Sequence, residues 1–495
     1  MRAAALAFAA SAAAGLVLTP LVRDLAQRWG LLDHALTSRK IHGKPVPRLG
    51  GVAIAAAFFA PLAGLMLLDG DVGHRFHSDA LKALGLFAGG LGIVVVGVVD
   101  DVRGLRARHK LLGQLAVGAL AYGLGYRIDE IALPFGAPIP LGLLGLPFTV
   151  LWITGVINAL NLIDGLDGLA GGVALAAVGS TLAIAALNGE PLMMLVTAAL
   201  AGATLAFLVF NFSPASIFMG DTGSMFLGFV LAITAIETNQ KSSTAVAILV
   251  PVVALALPIL DTLLSMARRA ARGVPMFQAD RGHVHHRLLD LGLSHRRAAL
   301  VLYGFSALLG LGAVALSLVR AREAVLLLVA LGAAHLLLLH RLGYFDLRRA
   351  PALLRQRRRN LELREAIRRV GELLREAEEP WEIFVALRFA VAPLGASAIA
   401  LRLPELQGAP PEGFSEGFEG RGGEDLLRAR FGLAVGLPGR SEIEVAWTDG
   451  RDTVDRDTEI AIEILCGHVA GALERAERSR AARPEDVVAA WQSTG

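Results

Sequence analysis

Apolar runs of about 17–22 residues recur along this chain from residue 3 to residue 340, and they constrain it more than any other feature. A run of that length, wound as a helix, crosses a hydrocarbon layer of roughly 30 Å. Within such a layer each backbone amide must find its partner in its own segment, which a helix provides and an isolated strand does not. Composition agrees. Hydrophobic residues make up 54% of the chain and mean hydropathy is +0.57, against roughly 45–50% apolar residues in soluble domains. Eleven spans are expected, at about 3–22, 51–68, 81–99, 111–126, 139–156, 168–187, 191–210, 222–236, 244–266, 298–319 and 324–340. The short run 222–236 and the Gly/Pro-rich entry to 139–156 are the faintest of these. Met1 to Leu18 has the small residues of a secretory signal, but its apolar run continues to Leu21 and ends in basic residues, which suits a retained first span.

The loops between these spans alternate in character. Those at 69–80, 127–138, 188–190, 237–243 and 320–323 are short and plain. Those at 23–50, 100–110, 157–167, 211–221 and 267–297 are long or polar, and they hold Arg39, Lys40, Lys44, Arg48, Arg103, Arg106, Arg108, Lys110, Arg268, Arg269 and Arg272. Cytoplasmic loops carry the excess of Lys and Arg, so the second set is expected in the cytoplasm. An odd number of spans then puts the N-terminus outside and the C-terminus inside. The net charge of +3 is small, and no nucleic-acid partner is expected.

Beyond residue 341 the composition turns polar. Leu363, Ile367, Val370 and Leu374 form a heptad-like stripe in an Arg/Glu-rich stretch. Two readings stand side by side: a homodimer contact, or a helix packing on its own domain. Residues 381–478 pattern as a small α/β domain, with a helix at Trp381–Pro393, strands at Ala396–Leu403, Phe431–Leu437 and Glu442–Trp447, and a helix at Asp457–Arg478. Its element order loosely resembles a GAF-like sensory domain. The expected organisation is a polytopic all-α membrane domain over 1–340, a cytoplasmic helical linker over 341–380, this α/β domain, and a disordered tail over 479–495. Cys466 is the only cysteine, which excludes an intrachain disulfide and a Cys-based zinc site.

Five polar constellations fall on the basic side. Asp100 and Asp101 close the third apolar run, where the negative end of a helix macrodipole disfavours them unless a cation compensates. Mg²⁺, a hard cation that takes carboxylate and phosphate oxygens together, would suit them. Asn158, Asn161, Asp164 and Asp167 follow at three-residue spacing. Over three such steps a helix turns the direction by about half a circle, and Gly165 and Gly168 weaken a helix further. A helix end or irregular loop with converging neighbours is therefore expected. Asn211 opens a stretch that continues through Phe218 to Gly220-Asp221-Thr222-Gly223, where glycines allow backbone near phosphate and Asp221 is either an N-cap or a metal ligand. Arg281, His283, His285, His286 and Arg287 would suit an anionic sugar phosphate, with zinc as a weaker alternative. The basic loop with Lys44, Pro45 and Pro47 would hold phosphate or simply flank a span. Asp261, inside the ninth run, is costly there and implies a function or a structural link, such as to the basic stretch at 267–272.

Taken in order, Val98-Val99-Asp100-Asp101, Asn161-Leu-Ile-Asp164-Gly-Leu-Asp167-Gly-Leu-Ala, Phe218-Met-Gly-Asp221-Thr-Gly-Ser and Arg281-Gly-His283-Val-His285-His286-Arg287 resemble the polyprenyl-phosphate N-acetylhexosamine-1-phosphate transferases. The peptidoglycan lipid I synthase is a relative of that family. The resemblance spans roughly residues 1–340. It implies transfer of a sugar-1-phosphate, from a UDP-activated amino sugar to undecaprenyl phosphate, at the cytoplasmic face of the bacterial inner membrane. UMP leaves, and cell-envelope polysaccharide synthesis begins. It implies Mg²⁺, for which Mn²⁺ can substitute. It matches Asp221 to the metal ligand and Asp100 and Asp101 to essential carboxylates near the lipid phosphate. Asp164 and Asn161 match the diphosphate and nucleotide region, where Asp164 counts with the catalytic carboxylates. Asp167 and Phe218 match positions near uridine, and Asn158 and Asn211 join the substrate-binding set. Arg281, His283, His285 and His286 match the donor's phosphate and sugar, and Lys44 or Lys40 the basic residue of the first loop. The His-x-His-His form resembles the GlcNAc-type branch. UDP-GalNAc or a deoxy amino sugar is the alternative donor. A membrane carrier or receptor is the rival of another class, disfavoured because the polar residues sit at loop ends rather than at the midplane.

Overall fold

A computed structural model describes residues 1–33, 45–67, 79–131, 139–240, 249–273, 282–344, 350–403, 413–418, 427–433 and 441–481. Most of the expected tail at 479–495 lies outside them. The chain divides into two compact units, one of Met1–Ala267 with Ala279–Phe345, the other of Arg268–Gln278 with Asp346–Gly495.

The first unit is a helical bundle. Its helices are α1 (Arg2–Arg28), α2 (Gly50–Leu67), α3 (Ala80–Arg103), α4 (Ala107–Gly123), α5 (Gly145–Ile163), α6 (Leu169–Leu187), α7 (Pro191–Asn211) and α8 (Gly220–Gln240). They continue as α9 (Leu249–Ala254), α10 (Ala256–Arg272), α11 (Val284–Asp290), α12 (His295–Leu318) and α13 (Ala321–Arg341). Among the described residues, seven helices are long and apolar enough to cross a membrane: Arg2–Arg28, Ala80–Arg103, Gly142–Ile163, Leu169–Leu187, Pro191–Asn211, His295–Leu318 and Arg322–Arg341. Gly50–Met66 is apolar but shorter. The eleven runs read from the sequence thus include several that fall below this length and hydropathy.

The reason is where these helices sit. Helix α8 packs against α2, α3, α5 and α6. Met225, Phe226, Leu227, Phe229 and Val230 are all fully buried. A helix surrounded by protein needs no continuous lipid-facing surface, so it can carry Thr222, Ser224 and Thr234, also buried. The Thr234 and Ser224 hydroxyls donate to the carbonyls four residues back, Val230 O at 2.8 Å and Gly220 O at 3.1 Å. Outer helices show the opposite habit. Leu6, Val17 and Leu21 of α1, Leu91 and Val95 of α3 and Leu326 and Val329 of α13 are exposed. Helix α1 turns a stripe of small residues inward (Ala4, Ala7, Ser11 and Gly15) against α7, the small-residue packing used where no water drives helices together.

Two close approaches fix the start of α8. A Cβ on Gly51 of α2 would lie 2.0 Å from the Gly223 nitrogen, and one on Gly97 of α3 would lie 2.4 Å from the Thr222 Cα. Backbone cannot yield as a side-chain tip can. Gly51→Ala is therefore expected to lower the melting temperature in detergent, by the roughly 1–3 kcal/mol typical of overpacking. Gly64→Ala on the same helix meets nothing within 4 Å and should leave melting unchanged. Equal melting of the two variants would refute this account of the α2–α8 crossing.

The second unit pairs helices α14 (Ala350–Glu376), α15 (Pro380–Arg388) and α16 (Arg456–Ala481) with a four-stranded antiparallel sheet. Its strands β1 (Ala398–Arg402), β2 (Phe414–Glu416), β3 (Leu427–Gly432) and β4 (Glu442–Trp447) lie in the order β2-β1-β4-β3. Ile399, Leu401, Ile443, Val445 and Trp447 alternate onto one face and form a core with the helices. Leu363, Ile367, Val370 and Leu374 lie in that same core. The heptad-like stripe is used inside its own unit, in keeping with the packing reading. Strand β2 falls between Leu403 and Phe431, where no strand is expected, and β3 begins four residues ahead of the expected strand at Phe431.

Candidate active site

The ends of α3, α5 and α7 and the start of α8 meet at one mouth of the bundle, around a cleft of about 480 Å³. Its lining includes Asp100 and Asp101 from the end of α3, Asn161 from α5, Asn211 from α7, and Phe218 and Asp221 at the start of α8. Asp164, Asp167 and His286 also line it, as do Asp33, Arg48 and His295. Six carboxylates therefore face one guanidinium and two imidazoles across the cleft. Among the described residues, no three Asp, Glu, His or Cys side chains converge as a metal cage.

The paired aspartates find two different partners, a helix N-terminus and a lysine. Asp101 accepts hydrogen bonds from the Asp221 nitrogen at 2.8 Å, the Thr222 nitrogen at 3.0 Å and the Thr222 hydroxyl at 2.6 Å. It thus caps the positive N-terminus of α8, a favourable place for a carboxylate. Asp100 accepts from the Leu105 nitrogen at 2.7 Å and pairs with the Lys110 ammonium at 2.9 Å. Lys110 sits on α4 and also reaches Asp221 at 2.6 Å and the Asn161 amide oxygen at 3.0 Å. Side chains from α3, α5 and α8 therefore converge on one ammonium. Asn161 completes the group, donating to Asp221 at 2.5 Å and to the Ser224 hydroxyl at 2.9 Å. Lys110 was read from the sequence only as a topology-setting charge.

Helix α5 runs to Ile163, so Asn158 and Asn161 lie on it while Asp164 and Asp167 lie in the loop beyond. Asn158 donates to Gln114 at 2.7 Å and to the Thr154 carbonyl at 2.8 Å, and it is not part of the cleft lining. Asp164 faces the cleft. Although its surface is only partly covered, loss of solvent, together with the negative charge of Asp221, Asp101 and Asp167, pushes its carboxyl up to about 8. Asp167 accepts from the Ala215 nitrogen at 3.1 Å. Buried Asn211 ties two loops together, accepting from the Gly168 nitrogen at 3.1 Å and donating to the Ile217 carbonyl at 2.9 Å. Phe218 is held through its backbone. Its nitrogen donates to Pro47 O at 2.8 Å and its carbonyl accepts from the Gly50 nitrogen at 2.9 Å.

The histidines divide three ways. Buried His283 sits 2.8 Å through Nδ1 from Asp261, which also accepts from the Val284 nitrogen at 3.0 Å. Asp261 is thus linked to the histidine motif rather than to the basic stretch at 267–272. His285 stacks on His283 with ring centres 5.8 Å apart, and its far edge rests on Gly165, where a Cβ would come within 2.2 Å of Nε2. Burial first, and His286 second, push the His285 imidazole down to about 3, so it is neutral. His286 alone of the three lines the cleft. Lys44, Lys40 and Arg281 lie outside the described residues.

A family model described as glycosyl transferase family 4 matches residues 83–239. A probable undecaprenyl-phosphate N-acetylglucosaminyl 1-phosphate transferase of Bacillus subtilis is 38% identical over 312 residues, covering 63% of this chain and 84% of the relative. A decaprenyl-phosphate N-acetylglucosaminephosphotransferase of Mycobacterium tuberculosis is 33% identical, covering 66% of this chain and 87% of the relative. An undecaprenyl-phosphate alpha-N-acetylglucosaminyl 1-phosphate transferase of Escherichia coli is 29% identical over 58% of this chain and 77% of the relative.

Proposed function

Since the chain belongs to glycosyl transferase family 4, we propose that it transfers N-acetylglucosamine-1-phosphate from a UDP-sugar to undecaprenyl phosphate, releasing UMP. The observation that carries this reading is the convergence of Asp100, Asn161 and Asp221 on Lys110 at one mouth of an apolar bundle. Both substrates are phosphate anions that repel one another. Phosphoryl transfer asks for alignment and charge neutralisation more than for covalent chemistry. A cleft with six carboxylates would repel both substrates unaided, so a divalent cation is part of the proposal.

The donor set fits Mg²⁺. That ion is held by one or two carboxylates plus waters and substrate phosphates rather than by a protein-only cage, as expected where no three ligands converge among the described residues. Asp221, whose side chain keeps 35% of its surface exposed, would hold it, with Asp100 beside it. When bound, Mg²⁺ supplies charge neutralisation at the diphosphate. The chain's own groups do the rest. Asp101 fixes the start of α8 and with it the Asp221 carboxylate. Asn161 sets the Asp221 rotamer. Asp164 faces the cleft on the side of the donor's diphosphate and nucleotide. His286 and the loop held by Asn211 and Asp167 face the donor side.

The remaining helices α2, α4, α8 and the α9–α10 pair would complete an eleven-pass bundle, with the cleft and the second unit in the cytoplasm, as the loop charges require. That unit, GAF-like in element order, would regulate or scaffold the enzyme. The test is a transfer assay on purified protein with undecaprenyl phosphate, Mg²⁺ and a panel of UDP-GlcNAc, UDP-GalNAc and UDP-deoxy amino sugars. UDP-GlcNAc is expected to give UMP and a lipid-linked product, and EDTA to stop it. No product from any donor would overturn the proposal, and preference for another donor would replace the sugar alone.

A further inference from the structure

We propose that Tyr344 is a positioning residue for the donor side of this cleft: with Asp261 it holds the histidine loop so that His285 seats on Gly165 and His286 faces substrate. The inference rests on the transfer reaction proposed above and adds a residue from outside every motif that suggested it.

Tyr344 stands just past the end of α13. Gly343 there takes a left-handed turn (φ +74°), and the Tyr344 nitrogen donates back to the Leu339 carbonyl at 3.0 Å. Leu339 and Leu342 are buried beneath, so the tyrosine leaves a fixed base. Its hydroxyl donates to the Gly282 carbonyl at 2.7 Å and lies 3.4 Å from Asp261 Oδ1. Its ring lies under the Arg287 guanidinium, 5.3 Å from the ring centre. One side chain therefore touches the residue before His283, the residue after His286, and the carboxylate that anchors His283.

The path onward is continuous. Asp261 caps the Val284 nitrogen and holds His283 Nδ1, and the His283 ring lies parallel to that of His285. His285 is 2% exposed, its Nδ1 makes no hydrogen bond, and it is located by stacking and by the bare face of Gly165. A group held by shape alone drifts when its loop drifts, and Gly165 is part of the loop between Asp164 and Asp167. Loosening Tyr344 thus displaces the histidines and the donor loop together. It leaves Asp100, Lys110 and Asp221 on other helices undisturbed.

The experiment compares full-length wild type with Tyr344→Phe, Tyr344→Ala, Asp261→Asn and the Tyr344→Phe/Asp261→Asn double variant. Tyr344→Phe keeps the ring beneath Arg287 and removes only the hydroxyl. It is expected to lower kcat/KM for UDP-GlcNAc about five- to tenfold, the size of one or two lost hydrogen bonds, with KM for undecaprenyl phosphate unchanged. Tyr344→Ala should lose more. The double variant should lose less than the product of the two single effects, because both act on one loop. A lower melting temperature with no donor-selective change, or fully multiplicative effects, would overturn the inference. Wild type without product would instead sink the reaction on which it rests.

Discussion

Asp221→Asn is expected to lose transfer activity by about three orders of magnitude or more, comparable to removing an essential electrostatic group from a preorganised site, while the folded protein persists. The side chain is isosteric, so the close crossings of α8 with Gly51 and Gly97 are unaffected. The cost falls on charge. Asp221 accepts from Lys110 and from Asn161 through its two oxygens. An amide offers one acceptor oxygen and turns an NH2 toward a donor on the other side. Of the two anions that face both Lys110 and the cleft, Asp100 and Asp221, the more exposed is then gone. Relief of repulsion with Asp100 and Asp164 offsets part of the lost pairing, so the melting temperature should move by only a few degrees. UMP release read beside a thermal melt in detergent checks both halves. His340→Ala, on the exposed end of α13, is the control that should keep full turnover. Near-normal transfer by Asp221→Asn would remove Asp221 as a metal ligand.

Much of this site could be read from residue order, and what was hidden has physical causes. Two aspartates against the macrodipole of α3 announced that a cation must be near, and the two answers were a lysine and a helix N-terminus. Neither is local. Lys110 is nine residues beyond Asp101, and only the turn between α3 and α4 brings it back. The capped amides belong to residues 221 and 222, on a different helix. Sequence spacing reports which side chains share a face and is silent about partners from elsewhere. The same limit explains Asp261. Its burial marked it as linked to something, but the His283 ring that meets it is 22 positions away. Hydropathy gives only a faint signal for α8, because a helix at the centre of the bundle faces protein and tolerates hydroxyls. The stripe from Leu363 to Leu374 shows a third limit: periodicity marks a face as apolar and leaves open what covers it. Strand β2 is three residues long among Gly and Glu, too short to carry an alternation of its own.

Lys110→Met should abolish most transfer and, in addition, make the protein's stability depend on divalent cation. Methionine keeps the length and apolar stem of lysine and deletes the ammonium. In the wild type that ammonium lies 2.6 Å from Asp221, 2.9 Å from Asp100 and 3.0 Å from the Asn161 oxygen. Only 16% of the lysine side chain and 9% of that of Asp100 are exposed, so water screens the pair poorly. Removing one partner of a buried pair leaves an uncompensated charge, worth up to about 3–5 kcal/mol in buried cases and less here because Asp221 opens to the cleft. The metal-free variant should therefore melt several degrees below wild type. Mg²⁺ then has more to offer it than it offers wild type, where the ammonium already offsets part of the charge of the two carboxylates and competes for Asp221. By mass action a ligand that binds only the folded state stabilises in proportion to its affinity, so the Mg²⁺-induced rise in melting temperature should be larger in Lys110→Met. Transfer should stay low even at saturating Mg²⁺, because one cation cannot take the place of both the ammonium and the metal. A variant that melts like wild type with the same response to Mg²⁺ would show that Lys110 does not hold these carboxylates together. A variant that recovers full transfer at high Mg²⁺ would show that its charge serves stability alone.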